Sequence, residues 1–330
     1  MTGTVNIGTN GNGASAGTAG NWDTTLTNWD QGNALAHVAW VNANLDTAAF
    51  GGTAGTVTLT APVTVGGLRF DVTGYTIAAG VQGLTFGAGN DTILFNGFAA
   101  ASITGTVTGA GNVSLRTSSP NVASTLTLGG TSAGGWSGTT TIGASTTLSL
   151  TGSNQGLLNT TGITLDGGNI TLTNATAGEA TLDRVSSNAI TSNGGTFTYA
   201  NTAASGRVYA ETIGSVGLVS GQTNFTLATS QASGGGNVQT LTLSGLTRTG
   251  NTSAIAFASA GSLNNSTNII VVNGAGGATP AGQIVGPWAT TGNTAGQFDY
   301  AVYNASNQVL GAGIAASVQT GWTADRKSVV

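Results

Sequence analysis

The chain has a single imidazole, His37 in the stretch ALAHVAW, and 11 carboxylate side chains spread over 330 residues. A Ser-His-Asp relay would have to use that histidine, but its sequence neighbours are apolar, which favours a structural role. Polysaccharide cleavage needs two carboxylates held a few ångströms apart. The nearest acidic pairs are Asp23/Asp30 and Glu179/Asp183, with Arg184 directly after the second. Stacked coils would also bring Asp166 near Asp183. Acids this sparse form such pairs by chance, so no catalytic residue is expected. Without cysteine and with one histidine, metal sites of the Cys/His kind are excluded by count. GAGND at 87–91 has the glycines and aspartate of a calcium turn, yet the GGxGxD repeat never recurs. No metal and no cofactor are expected. Thr-x-Thr occurs at Thr56/Thr58/Thr60, Thr125/Thr127, Thr139/Thr141 and Thr240/Thr242. A regular outward array of such pairs would suit an ice surface. Their spacing is irregular, and Thr also simply tolerates a solvated strand face.

Any such groups must be positioned by strands. The most regular stretch is Thr125–Leu150, TLTLGGTSAGGWSGTTTIGASTTLSL. Thr125–Leu128 recurs 22 residues later as Thr147–Leu150, and again as Asn169–Leu172. Apolar side chains alternate with polar ones in each copy, the pattern of half-buried strands. A period of this length points to a solenoid, in which each coil buries its apolar face against its neighbours. The expected fold is all-β, a parallel β-helix. Leu126, Leu148 and Ile170 should form one inward stack, Leu128, Leu150 and Leu172 a second, with Thr127, Ser149 and Thr171 outside.

Composition agrees. Charged residues are 5% of the chain and hydrophobic residues 39%, with 55 glycines and four prolines. Ordinary soluble domains carry about 25% charge, but disorder is a poor alternative, because β-branched residues recur in short runs. Polarity comes from Thr, Ser and Asn, which suit strand faces and turns. The formal net charge is −4 and no basic patch exists, so nucleic acid is not an expected partner. No apolar run is long enough to cross a bilayer as a helix, and the N-terminus lacks the charged and apolar regions of a signal peptide.

Along the chain, residues 1–50 read as a Gly/Asn-rich segment, weakly ordered to about residue 20, followed by a Trp-rich cap. Trp22, Trp29 and Trp40 cluster just before the strand pattern begins, and burial over the first coil is expected of them. A carbohydrate-binding platform would instead expose them. Residues 51–267 read as β-helix coils and 268–324 as a terminal β module.

GAGNVSL, followed by TLTLGGTSAGGWSGTTTI, resembles the autotransporter-associated β-strand repeat. In that repeat a GxGTLTL-like strand leads through a Gly-rich turn with an aromatic to a GGTTV-like strand. The match is closest over 105–172, and Trp136–Ile142 follows the second half well. WVNANLDTAAFGG and IVGPWATTG also look like segments of passengers carrying this repeat. The resemblance implies a right-handed parallel β-helix (solenoid), displayed on a Gram-negative or related cell surface by type V secretion. It implies a separate C-terminal outer-membrane barrel in the full-length protein, whose roughly ten-residue strands and aromatic girdles are not seen here. Residues 325–330, DRKSVV, resemble a translated sequencing adapter and are set aside as a non-native tail. The expected function is a non-enzymatic stalk or adhesin. Its partners would be a host or neighbouring-cell surface or an extracellular polysaccharide. A polysaccharide-degrading β-helix enzyme and an ice-binding solenoid are the alternatives.

Overall fold

The computed structural model describes residues 2–5, 16–32, 35–97, 99–130, 132–133, 135–155, 157–179, 183–202, 206–229, 237–261, 263, 266–274, 282–293 and 298–312. The tail at 325–330 and the last part of the terminal module lie outside them. The chain forms two compact units, Met1–Thr173 with Asp183–Asn188, and Asn174–Leu182 with Ala189–Val330. The fold is an all-β parallel solenoid.

In the first unit the 22-residue copies pair as parallel neighbours. Leu126 lies opposite Leu148 and Leu128 opposite Leu150, and the next strand continues with Leu148 opposite Ile170 and Leu150 opposite Leu172. All six of these side chains are fully buried. The ladder extends upstream in register, Leu128 facing Ile103, Ile103 facing Ile77 and Ile77 facing Val57. Alternation drives this arrangement. Each strand presents one apolar edge inward, and fully burying a Leu or Ile contributes about 1.5–3 kcal/mol.

A second parallel sheet closes the coil. It stacks Ala48, Leu68, Ile93, Leu115, Ile142 and Leu165 in one inward row. Phe50, Phe70 and Phe95 form a stacked aromatic column beside it, with ring centroids 5.3 and 5.6 Å apart. Between the sheets, strands Tyr75–Phe86 and Ala100–Gly109 turn a corner at Gly80 and Gly105. Both have positive φ, as do Gly130 and Gly152 in the following coils. A Cβ on Gly105 would come within 2.4 Å of the Gly80 nitrogen. Only glycine permits backbones to approach this closely in a left-handed conformation.

The motif tryptophan lies past this corner. Trp136 is fully buried, meets Phe86 edge-on at 5.7 Å, and donates its indole N–H to Thr140 Oγ1 at 2.8 Å. At the start of the chain, Thr2–Val5 forms a strand parallel to Thr47–Phe50. Its main chain pairs with a sheet edge, which its Gly/Asn-rich surroundings gave no sign of.

In the second unit, strands Gly195–Asn201, Gln222–Leu227, Ala254–Ser259 and Ala289–Asn293 run parallel. Phe197, Phe225 and Phe257 stack inward with centroids 5.5 and 6.3 Å apart. Val208–Leu218, Val238–Arg248 and Asn268–Val272 form the facing parallel ladder. Antiparallel pairing begins at Phe298–Tyr303, which returns along Ala289–Asn293 and is followed by Val309–Gly311.

Candidate functional site

Strand alternation fixes what the first unit shows to solvent. The residues between the buried stacks point outward, and the in-register ladder sets Thr56, Thr76, Ser102, Thr127, Ser149 and Thr171 one above another on successive coils. Every member of this column carries a hydroxyl. Thr76 and Ser102 hydrogen-bond along it at 2.9 Å. Flanking outward positions are Thr58, Ala78, Thr104 and Gly129 on one side and Thr125, Thr147 and Asn169 on the other. None of these side chains is charged or aromatic. The second sheet differs. Its outward positions include Arg69, Arg116 and Asp166, and Arg69 pairs with Asp71 at 3.0 Å.

The ladder regroups the Thr-x-Thr pairs. Thr56/Thr58 and Thr125/Thr127 belong to the uncharged face, whereas Thr139/Thr141 lies at and in the second sheet and Thr240/Thr242 in the second unit. The GAGND turn stacks on the related GAGN turn of the next coil. Asn112 Nδ2 donates to Asn90 Oδ1 at 2.8 Å, and Asn112 Oδ1 accepts from the backbone N–H of Thr139 at 2.8 Å. The turn asparagines therefore bond to adjacent coils. Asp91 points into the core beside Ile93 and is 5% exposed. Burial raises its pKa above the ordinary carboxylate value, and its Oδ2 accepts no hydrogen bond among the described residues.

The other candidates are local fastenings. Asp23 accepts from Leu26 N–H and Thr25 N–H, both at 2.8 Å, and from the Thr25 and Thr60 hydroxyls. The two main-chain bonds do most to pull its pKa down to about 2. Asp30 is buried and accepts from Gly32 N–H at 2.7 Å. Glu179 holds Ala175 N–H and the Thr176 hydroxyl, each at 2.7 Å, and Asp183 holds Ser186 N–H at 2.6 Å. Glu179 and Asp183 fall in different units. Arg184 is fully buried and donates to the carbonyls of Gly152 and Thr173 at 2.5 and 2.9 Å. His37 is half-buried, and its Nε2 finds no hydrogen-bond partner among the described residues.

The three clustered tryptophans are 1–3% exposed. Their centroids lie 4.7–5.2 Å apart, and Trp40 donates to Thr64 O at 2.9 Å. Trp29 and Trp40 contribute to a cleft of about 180 Å³ with Gln31, Asn44 and Asp46 on its wall. Their ring faces pack on one another and on Phe50, so they form no exposed stacking platform.

Sequence reading missed a chain of amides inside the second unit. Asn174 Nδ2 donates to Asn201 Oδ1 at 2.7 Å, Asn201 Nδ2 to Gln239 Oε1 at 3.0 Å, and Gln239 Nε2 to Asn268 Oδ1 at 2.8 Å. All four side chains are buried. Asn201, Gln239 and Asn268 each both donate and accept, which is how buried polar groups avoid a desolvation cost. The separations in sequence are 27, 38 and 29 residues, so no fixed period marks them.

The fold thus defines a parallel β-solenoid whose first unit carries one uncharged, hydroxyl-lined face. Over 87 residues, 26% of this chain, the sequence is 44% identical to the adhesin BmaC autotransporter of Brucella suis biovar 1 (strain 1330). The matched stretch spans 2% of that protein's length. No protein-family model matches the chain, and no solved structure matches it. Solenoid and match together fit an autotransporter passenger domain.

Proposed function

We propose that this chain is a non-enzymatic segment of a cell-surface or secreted autotransporter passenger, exported across the outer membrane and carried by a barrel elsewhere in the full-length protein. It acts as a stalk and adhesin, and the uncharged face of the first unit is its contact surface. The observation that supports this reading most is the unbroken hydroxyl column from Thr56 to Thr171. The similarity to a protein named as an adhesin supports it independently. Asp23, Asp30, Glu179 and Asp183, by contrast, hold turns and main-chain N–H groups.

The mechanism is repetition. Each coil adds one inter-strand spacing of about 4.8 Å and one more set of hydroxyls. A single neutral hydrogen bond at a solvated surface contributes little, on the order of 1 kcal/mol. Many in fixed register act as one multivalent contact. The partner is a host or neighbouring-cell surface or an extracellular polysaccharide.

The test is display of the chain on a non-adherent bacterium through a heterologous barrel. Wild type should confer attachment to cells or to a polysaccharide film. Ser102→Lys/Thr127→Lys/Ser149→Lys should lose it, whereas Thr141→Lys/Thr164→Lys on the other sheet should keep it. Equal attachment by all three, or release of soluble sugar from the film, would contradict the reading.

A further inference from the structure

The second unit leaves two aromatic side chains in solvent, and they stand together. Phe298 and Tyr300 are 77% and 47% exposed. They lie two residues apart on the strand Phe298–Tyr303, so both point outward, about 6.8 Å apart along it. Asp299 between them sits opposite the buried Thr291 and accepts the Tyr300 N–H at 2.8 Å, which keeps its charge off their side. Trp288, just before the neighbouring strand, has the Arg248 guanidinium 5.6 Å from its ring centroid. Phe298 and Tyr300 have no such cover among the described residues.

Register shows what surrounds the two rings. Antiparallel pairing sets Tyr300 beside Thr290 and Phe298 beside Gly292. Parallel pairing sets Ala256 beside Thr290 and Ala258 beside Gly292, with Asn224 and Thr226 on the strand beyond. Residues paired across a sheet share a side, so all of these face outward with the rings. The rings and the polar row of Asn224 and Thr226 stand three strand spacings apart, about 14 Å. Between them is a floor of Gly, Ala and one Thr, with no bulky side chain. None of these positions is charged.

Three properties select the occupant. The first is area. Aromatic side chains carry about 150–250 Å² each, so the two rings offer on the order of 250 Å² at these exposures. A stable protein contact takes about 800 Å² from each partner. The second is neutrality, which gives an anionic or cationic ligand nothing to pair with. The third is shape. Two rings in line along a strand, beside a flat floor, fit a flat chain lying parallel to the strands. A pyranose has that form, with C–H groups on its faces for the rings and hydroxyls on its edges. The Thr290 and Tyr300 hydroxyls and the Asn224 amide each donate and accept, as sugar hydroxyls require.

We propose that Phe298 and Tyr300, with the Ala256/Ala258/Gly292 floor beside them, form a glycan subsite that takes one extended, neutral, equatorially linked polysaccharide chain. The subsite lies in the second unit and does not depend on the contact face of the first. Two rings make a weak site, so attachment of a displayed chain still needs that face, and the subsite is read in solution. No bond is made or broken.

The experiment uses the purified full chain and two probes, cellohexaose in solution and hydroxyethylcellulose cast in a native gel. Titration calorimetry and gel retardation are measured for wild type and for each variant, with far-UV circular dichroism confirming the fold. Wild type should bind cellohexaose and be retarded by the gel. Phe298→Ser/Tyr300→Ser should bind at least about tenfold more weakly. Ala258→Arg keeps both rings and fills the floor, and a comparable loss is expected. Tyr300→Phe keeps the ring and should stay within about threefold of wild type. Thr127→Lys/Ser149→Lys, which alters the first unit's face, should bind as wild type does, so this subsite and that face fail or stand separately. Absence of wild-type binding to both probes, or equal binding by Phe298→Ser/Tyr300→Ser, overturns the proposal. So does dimerisation of wild type in sedimentation velocity that Phe298→Ser/Tyr300→Ser abolishes while neither probe binds, because the rings would then meet a second copy of the chain.

Discussion

The two units use the same parallel ladder and place their polar side chains oppositely. In the first, hydroxyls stack on the outside, from Thr56 to Thr171, around inward columns of Leu, Ile and Phe. In the second, amides stack inside, from Asn174 to Asn268. There the outer row runs Thr196, Asn224, Ala256, Thr290, so its hydroxyl order is broken. An outward hydroxyl is solvated in any register and places little constraint on stability. A buried amide is satisfied only if the coil above and the coil below are both in place. The first unit therefore has freedom to vary its face for binding, and the second has a core that enforces its own register.

The largest expected effect comes from the aromatic stack that both designs share in kind. Phe225 lies between Phe197 and Phe257, and Phe225→Ala should destabilise the second unit by about 3–5 kcal/mol. Leu148→Ala in the first should cost about 2–5 kcal/mol. Guanidinium unfolding followed by tryptophan fluorescence and circular dichroism in a Trp288→Phe/Trp322→Phe background would separate them, since the remaining Trp22, Trp29, Trp40 and Trp136 all belong to the first unit. Loss of both units' signals with either change would show that they do not unfold independently.

Next is the amide chain. Gln239→Leu fills the same space but removes the partner of both Asn201 and Asn268. Each buried group left unpaired costs about 1–3 kcal/mol, so this apolar replacement should destabilise the core. A neutral or stabilising result in the same unfolding assay would mean that the amides do not enforce register.

How much of this was legible beforehand follows from coil length. Between residues 125 and 172 the coils are of equal length, so the repeat could be seen and the pairing of Leu126 with Leu148 and Ile170 was readable residue by residue. Upstream, the steps from Thr56 to Thr76, Ser102 and Thr127 are 20, 26 and 25 residues. Turn insertions destroyed the period there without disturbing the ladder, so Thr127, Ser149 and Thr171 were readable as one outer row while its continuation through Ser102, Thr76 and Thr56 went unseen. The amides were hidden for a further reason. Asn and Gln read as turn or surface residues in sequence, and only the coil above shows that they are satisfied inside. The tryptophan cluster was legible because its members lie close along the chain.

Two carboxylates give a smaller, pH-dependent contrast within the first unit. Burial raises the Asp91 pKa, so the folded chain holds that proton more tightly than the unfolded one. Its effect on stability is least harmful below the ordinary carboxyl value near pH 4 and worsens as pH rises through the raised folded value. Asp91→Asn should remove that decline and melt higher than wild type at neutral pH. Asp23 has the opposite sign. Its pKa of about 2 means its contribution is present above pH 4 and is lost as pH falls toward 2. Asp23→Asn should melt lower than wild type at neutral pH and converge with it in acid. Thermal melts from pH 2 to 7 check both.

The smallest effect belongs to the face. Ser149→Ala sits on the half-buried outer side and should change stability by no more than about 0.5 kcal/mol, because the surface that contacts a ligand is not the surface that holds the coil. A change as large as that of Leu148→Ala would mean the hydroxyl column is structural.

The central claim is that coils of unequal length lie in one parallel register. The chain has no cysteine, so spin labels can be placed at will. Nitroxides at Ser102→Cys with Thr127→Cys, and at Thr127→Cys with Ser149→Cys, should show strong spin–spin broadening at the inter-strand distance of about 4.8 Å. A Ser149→Cys with Thr164→Cys pair, on opposite sheets, should show none. Broadening absent from the first two pairs would contradict the in-register solenoid and, with it, the hydroxyl face.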